Sequence, residues 1–94
     1  MEDDLMRTDY LILSTLQKRK CTDYFHSLTI SEIIDLNRNE SGKHCLGVRQ
    51  TVYRKLQRLL DMKYIAKGVK DNHADSYYLD QRGIRFTNSL AKEQ

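Results

Sequence analysis

The stretch LGVRQTVYRKLQRLLDMKYI, Leu46–Ile65, decides the fold because it is the clearest amphipathic segment of the chain. Its apolar residues recur at spacings of three and four, which places them on one stripe of a helix. They are Val48, Val52, Leu56, Leu59 and Leu60. At about 100° per residue, the opposite side carries Gln50, Arg54, Gln57 and Arg58, and Arg49, Thr51 and Tyr53 flank them near the helix start. Arg and Gln hydrogen-bond guanine and adenine edges, and Thr and Tyr suit phosphates and methyl groups. The pattern favours a nucleic-acid contact; the alternative is a solvated amphipathic helix whose charges serve only solubility.

The basic residues of the chain are concentrated around this helix. The net charge is only +3, yet eight Lys or Arg residues lie between Ser41 and Lys70 against one acid, Asp61. That segment therefore carries +7, and the remainder of the chain carries −4. A middle segment whose charges are almost all positive, between mildly acidic ends, favours a polyanionic partner at one surface. The alternative is chance clustering around a helix that happens to be basic.

The length and composition limit the class of protein. Ninety-four residues suit one domain, residues 1–94, and are too few for two. No apolar run approaches the roughly 18–20 residues of a membrane span, and the acidic start MEDDLM does not resemble a signal peptide. Cys21 and Cys45 have no CxxC spacing, so we expect no disulfide scaffold. These features predict a cytoplasmic protein without a membrane partner.

Three further segments have helical patterns. The first runs from Asp3 to about Gln17, with an acidic first turn and basic residues just past its end, the order that a helix dipole prefers. The second runs from Ile30 to about Asn37 and starts with a capping box, TISE at 29–32. The last runs from Gln81 to about Lys92, with Asp80 as its cap.

The remaining segments are predicted to form a hairpin and two connections. Tyr64–Lys70 and Ser76–Leu79 predict two strands joined by a polar tip. Cys21–Leu28 has no clear period and is predicted to be a connection. Asn37–Gly47 carries turn residues over about ten positions, whereas a tight helix-turn-helix has a turn of about three or four residues. Either a helical turn lies within this connection, or the helices on its two sides cross less conventionally.

The order helix, helix, helix, β-hairpin, helix resembles a winged helix-turn-helix domain. TVYRKLQRLLDMKYI (51–65) is similar to the stretch in which such regulators pass from the recognition helix into the first wing strand, and SYYLDQRGIRF (76–86) to the second wing strand and the start of the final helix. LILSTL (11–16) is similar to the first helix of PadR- and MarR-type bacterial regulators. The chain also resembles small winged-helix proteins of phages and plasmids, including centromere binders of TubR type. The resemblance implies an α+β fold with a three-helix core, a β-hairpin wing and a C-terminal helix.

The same resemblance implies contacts with double-stranded DNA. The positions that match major-groove contacts are Arg49, Gln50, Thr51, Tyr53 and Arg54, and those that match the wing tip are Lys70, Asn72 and His73. Arg58 and Lys67 are expected to meet phosphates. Lys43 and His44 precede the recognition helix and are placed to meet a phosphate there.

A symmetric homodimer that reads two half-sites is also implied, with the terminal helices forming the dimer contact. The expected interface residues are Leu5, Tyr10, Leu11, Phe86 and Leu90. The apolar band of the first helix is wide for a short domain, which favours contact with a second copy as well as with the core. The alternative is that later segments of the same chain cover it.

Catalysis and metal binding find little support in the sequence. His26, His44 and His73 are scattered, and the four glycines are isolated, so there is no nucleophile with a base and no phosphate-binding loop. We therefore predict no enzyme and no cofactor. Cys21, His26, His44 and Cys45 include zinc-ligand types, but neither C-x-x-C nor H-x-x-x-H spacing occurs. Core cysteines and surface histidines explain them more simply, and we predict no metal site.

The sequence thus predicts a dimeric DNA-binding protein, with transcriptional repression by steric blocking of polymerase as the main hypothesis. No second domain is evident for sensing a ligand, so control would come from the dimer cleft, from concentration, or from another protein that acts on the DNA-bound complex. For the same reason a DNA-segregation adaptor of TubR type is the alternative. A winged-helix module that binds protein is a further alternative, and the salt dependence of binding separates it from a DNA-binding protein.

Overall fold

The elements follow the predicted order, with one additional strand. The computed structural model describes residues 5–39, 41–43, 45–70 and 73–92. The elements are α1 (Arg7–Lys18), β1 (Leu28–Thr29), α2 (Ile30–Leu36), α3 (Arg49–Asp61), β2 (Ile65–Lys67), β3 (Ser76–Leu79) and α4 (Gln81–Lys92). The α+β fold with a three-helix core, a hairpin wing and a C-terminal helix is confirmed. We call residues 65–79 the wing.

Apolar side chains from all three core helices meet in one cluster. Those with no solvent exposure are Ile12 and Leu13 and Leu16 of α1, Ile33 of α2, and Val52, Leu56 and Leu59 of α3. Ile65, Tyr77 and Leu79 close the cluster from the sheet. The predicted stripe of α3 is therefore right for its three central residues. It is wrong for Val48, which is 68% exposed because α3 begins at Arg49 and Val48 occupies the extended N-cap position.

The first helix begins later than predicted. It starts at Arg7 rather than at Asp3, because the carboxylate of Asp9 turns back and accepts a hydrogen bond from the backbone N–H of Met6 at 2.9 Å. This bond satisfies one of the unpaired amides of the helix start. Asp3 and Asp4, expected in the first turn, lie outside the described residues.

The strand β1 was missed because it has only two residues, too few for any alternation to show. It pairs antiparallel with β3, and the sheet order is β1-β3-β2. Thr29 ends the strand and also caps α2. Its Oγ1 accepts from the N–H of Glu32 at 3.2 Å, and Glu32 Oε1 accepts from the N–H of Thr29 at 2.9 Å. The predicted capping box is confirmed, and it joins the sheet directly to α2.

The connection between α2 and α3 is long, as its sequence indicated. Its described residues, which exclude Glu40 and His44, contain a turn but no helical turn. Asn39 organises this turn, since its Oδ1 accepts from the N–H groups of Ser41 (3.0 Å) and Lys43 (2.9 Å). The amide of Asn37 donates to Thr15 Oγ1 at 2.8 Å and so anchors the start of the connection to α1.

The first turn of α4 packs tightly against the sheet at one glycine. A Cβ on Gly83 would collide with the carbonyl oxygen of Tyr64, so only glycine lets the first turn of α4 lie against the start of β2. Asp80 precedes this turn, and its Oδ1 accepts from the N–H of Gln81 at 2.8 Å. The guanidinium of Arg82 lies 4.4 Å from the ring centre of Tyr64 and adds a cation–π contact across the same junction.

Candidate nucleic-acid interface

The exposed face of α3 is set by the residues on its other side. Val52, Leu56 and Leu59 are completely buried, which leaves Gln50 and Arg54 exposed on the opposite face. Gln57 lies on the same face and is half-buried. The structure therefore presents the forked guanidinium and the amide to solvent, as the sequence predicted. These are the groups that pair with base edges and phosphates.

A groove runs between the start of α3 and the wing. It has a volume of about 660 Å³. Arg49, Gln50, Tyr53 and Arg54 line it on one side, Ala74 and Asp75 on the other, and Ile30 and Tyr77 complete the lining. Tyr53 is 50% exposed. Burial, and then the negative charge of Asp75, raise the pKa of the Tyr77 hydroxyl above its ordinary value.

Arg49 joins the start of α3 to α2. Its side chain is exposed, and Nη1 donates to Oγ of Ser31 in α2 at 2.7 Å. Thr51, the third residue of α3, is half-buried. Of the five predicted major-groove residues, the structure thus exposes Arg49, Gln50, Tyr53 and Arg54 and covers part of Thr51.

Arg58 has a protein partner that the sequence did not indicate. Its Nη1 lies 3.1 Å from Oδ2 of Asp9, a carboxylate with no solvent exposure, while the Arg58 side chain is 40% exposed. The phosphate role predicted for Arg58 therefore competes with an ion pair inside the protein. Asp9 lies 49 residues earlier on α1, in a helical stripe that reads as apolar, so no local pattern pointed to it.

The wing lysines are paired with one acid. Lys67 Nζ lies 3.2 Å, and Lys70 Nζ 3.8 Å, from the carboxylate of Asp75. Both lysines are more than half exposed, and exposed ion pairs contribute only about 0–1 kcal/mol, so a phosphate can compete for them. His73 is exposed in a left-handed conformation, with φ of +76°. Asn72 lies outside the described residues.

The residues ahead of α3 are only partly described. Lys43 is exposed, and His44 lies outside the described residues.

The cysteines and histidines that could in principle bind a metal lie apart. Cys21 is buried, which raises the pKa of its thiol, and Cys45 is exposed. His26 is held by Asp23, with Nδ1 2.8 Å from Oδ1, and this hydrogen bond lowers the pKa of the Asp23 carboxyl. Among the described residues no group of three His, Cys, Asp or Glu side chains comes close enough to hold a metal.

The residues expected at a dimer contact lie on α1 and α4, except Leu5, which precedes α1. The rings of Tyr10 and Phe86 are 5.5 Å apart, so these two helices pack through them within one chain. Leu5, Leu11 and Phe86 are half-buried against the core. Tyr10 remains 38% exposed and Leu90 is half-buried. Packing within the chain thus covers part of this band and leaves part of it at the surface.

No helix of the described chain combines the length and apolar character that crossing a membrane requires.

The buried Asp9 carboxylate gives the first prediction. Asp9→Ala is expected to lower the free energy of unfolding by about 2–3 kcal/mol, less than the ~3–5 kcal/mol of a fully buried pair because Arg58 keeps access to water. Arg58→Ala should be at least as destabilising, since the carboxylate that it leaves without a cation has no solvent exposure. Urea denaturation of both single variants and the double variant measures the coupling.

The matched control is Asp35→Ala, which breaks an exposed pair with Arg38 at the same 3.1 Å. This change should cost about 0–1 kcal/mol. Additive effects of Asp9→Ala and Arg58→Ala in the double variant would show that the two side chains do not act as a pair.

Comparison with known proteins agrees with the architecture. No protein-family model matches the chain. The chain is similar to the DNA-binding protein TubR of Clostridium botulinum C phage, with 23% identity over 84 residues that span 89% of this chain and 94% of that protein. Among solved structures it is similar to TubR from Bacillus megaterium pBM400, with a TM-score of 0.75 and 19% identity over 94% of this chain and 88% of that one. It is also similar to Bacillus subtilis PadR in complex with operator DNA, with a TM-score of 0.64 and 20% identity over 88% of this chain but only 46% of that one. At these identities the likeness establishes the fold, and the chain has a winged helix-turn-helix fold.

Proposed function

We propose that this chain binds double-stranded DNA, with α3 in the major groove and the wing against the flanking backbone. The observation that carries this proposal is the outward face of α3, where Gln50 and Arg54 are exposed beside the groove that the wing borders. Winged and other helix-turn-helix proteins place a recognition helix in the major groove through such residues. Arg49 and Tyr53 extend the same surface toward the wing.

The charge distribution supports a polyanionic partner. The +7 segment between Ser41 and Lys70 includes α3 and the first wing strand. Within it, Arg58 is held by Asp9, and Lys67 and Lys70 are paired with Asp75. We propose that Arg54 and Lys43 act on DNA as the protein stands. Arg49 would do so with the donors that its hydrogen bond to Ser31 leaves over, and the wing lysines would exchange Asp75 for phosphate on binding. We also propose phosphate contacts for His44, Asn72 and His73 and a backbone contact for Thr51.

The relatives support this assignment by what their names state. The phage relative is a DNA-binding protein, and PadR was solved in complex with operator DNA. We carry DNA binding to this chain because the match to the phage relative spans nearly all of both chains. We further propose a cytoplasmic protein that acts without catalysis.

We propose that the chain works as a homodimer joined by α1 and α4. Tyr10 and Leu90 are the predicted interface residues that keep exposed surface at this side of the molecule, next to Leu5, Leu11 and Phe86. Two copies would present two α3 helices, as operators with two half-sites require. Sedimentation should give about twice the 11.1 kDa of one chain, and a single-chain mass at all concentrations would exclude this arrangement.

Two biological roles use the same contacts. The sequence favours transcriptional repression, with DNA segregation of TubR type as the alternative. The extent of the matches favours the alternative, because the similarity spans 94% of the phage TubR but 46% of PadR. We therefore propose a TubR-like DNA-binding role first and a PadR-like repressor second.

The DNA contact of α3 is tested by one substitution. Arg54→Ala is expected to weaken binding to a selected duplex by about 1–3 kcal/mol, because a guanidinium that pairs with a base edge is lost. Fluorescence anisotropy at fixed salt measures the change. Arg19→Ala, which removes the same charge from the exposed end of α1, is the control and should change affinity far less.

The salt dependence of the same titration separates DNA from protein as the partner. Affinity for the duplex should fall linearly with salt on logarithmic axes, with a slope near 0.9 per phosphate neutralised. Equal affinities for the Arg54→Ala variant and the unchanged chain would contradict the proposed interface. Binding that does not respond to salt would contradict it as well, and would favour the protein-binding module.

The two roles differ in the arrangement of bound sites. Fragments of the source genome that the protein retains should be sequenced. We expect a tandem array of short repeats, as a segregation site requires. A single palindrome beside a promoter would overturn the segregation role and support repression.

A further inference from the structure

Val48 is an exposed apolar residue at the leading end of the proposed recognition helix. Its side chain is 68% exposed, the highest value among the large hydrophobic residues of α3 and its N-cap. Its carbonyl oxygen accepts from the N–H of Val52 at 3.1 Å, so its backbone is fixed to the first turn of the helix. The backbone position of Val48 is therefore fixed, its β-branched side chain has few rotamers, and most of its surface faces solvent.

Local stability does not account for valine at this position. The Val48 side chain makes no capping hydrogen bond, and valine is among the poorest N-cap residues, whereas Ser, Thr, Asp and Asn satisfy an unpaired amide of the first turn. Burial brings no compensation, because Val48 contributes nothing to the core cluster. A residue that weakens the helix start and leaves apolar surface in water is the kind of local inconsistency that functional sites display.

The surroundings of Val48 leave room for a ligand group. Gly47 has a φ of +92°, and apart from its two chain neighbours no atom of the described residues lies within 4 Å of where its Cβ would be. Gly47 and Val48 share a groove of about 480 Å³, which Ser31, Ile34, Asp35, Arg38 and Arg49 also line. Arg49 also lines the larger groove beside the wing. Val48 thus adjoins the proposed DNA surface rather than a separate site.

We propose that Val48 recognises the C5 methyl group of a thymine in the major groove. This proposal rests on the proposed DNA-binding function and names a specificity-determining residue within it. The methyl group is the one apolar feature that a base pair presents in the major groove, and apolar side chains read it by contact. Gln50, two residues further on, carries the amide suited to adenine, so the pair of residues favours A·T steps beneath the helix start.

The test removes the contact from each side separately, by loss of the thymine methyl group from the DNA and by loss of the two γ-methyl groups of Val48 from the protein. A duplex is selected from a random library with the unchanged chain, and each thymine is then replaced in turn by deoxyuridine, which lacks only the methyl group. At one position of each half-site, deoxyuridine should weaken binding about fourfold, the change expected for losing the burial of one methyl group. Val48→Ala should bind the thymine duplex more weakly and should no longer distinguish thymine from deoxyuridine there.

Two further variants keep the test interpretable. Val48→Ser should melt at the same temperature or higher, because serine caps the helix, yet should lose the same discrimination. Leu36→Ala removes another exposed apolar side chain and should keep it. The proposal is overturned if no deoxyuridine position weakens binding, or if Val48→Ala retains the full preference. A library that yields no bound duplex overturns the DNA-binding function itself, and this result is distinct from the other two.

Discussion

The burial of one stripe of α3 is the constraint on which the proposed interface depends. Val52, Leu56 and Leu59 have no solvent exposure, and each buried side chain of this size contributes roughly 1.5–3 kcal/mol. Rotation of the helix by even a quarter turn would expose part of this stripe. The exposed ion pairs of the surface contribute only about 0–1 kcal/mol each, so no rearrangement among them offsets that loss. The core therefore determines that Gln50 and Arg54 face outward.

The Asp9–Arg58 pair adds a second restraint on the same helix. Oδ2 of Asp9 accepts both the Met6 amide, which begins α1, and the guanidinium of Arg58, which lies near the C-terminal end of α3. The apolar stripe sets the rotation of α3, and this pair ties its far end to α1. If α1 and α4 form the dimer contact, the pair also links the dimer contact to the recognition helix. The spacing of the two α3 helices would then depend on it.

The sequence predicted those features that depend on neighbours within a few residues. The bounds of β3 and α4, the capping box at Thr29 and the outward position of Arg54 all follow from periodicity or from local hydrogen bonding. The contact of Asp9 with Arg58 could not be predicted, because the two residues are 49 positions apart and an acid within an apolar stripe gives no sign of its partner. Val48 was misplaced for a different reason. Its spacing fits the apolar stripe, but the helix begins one residue later, so the periodicity no longer applies to it.

The wing and α3 would reach DNA in different states. Arg54 and Gln50 are exposed without rearrangement, whereas Lys67 and Lys70 must leave Asp75 to meet phosphate. Titration of isotope-labelled protein with its selected duplex, followed through the backbone amide signals, tests the location of the interface most directly. The largest shifts are predicted at residues 48–54 and around His73, with small changes over α4. Shifts confined to α1 and α4, with the amides of α3 unmoved, would contradict the proposed interface.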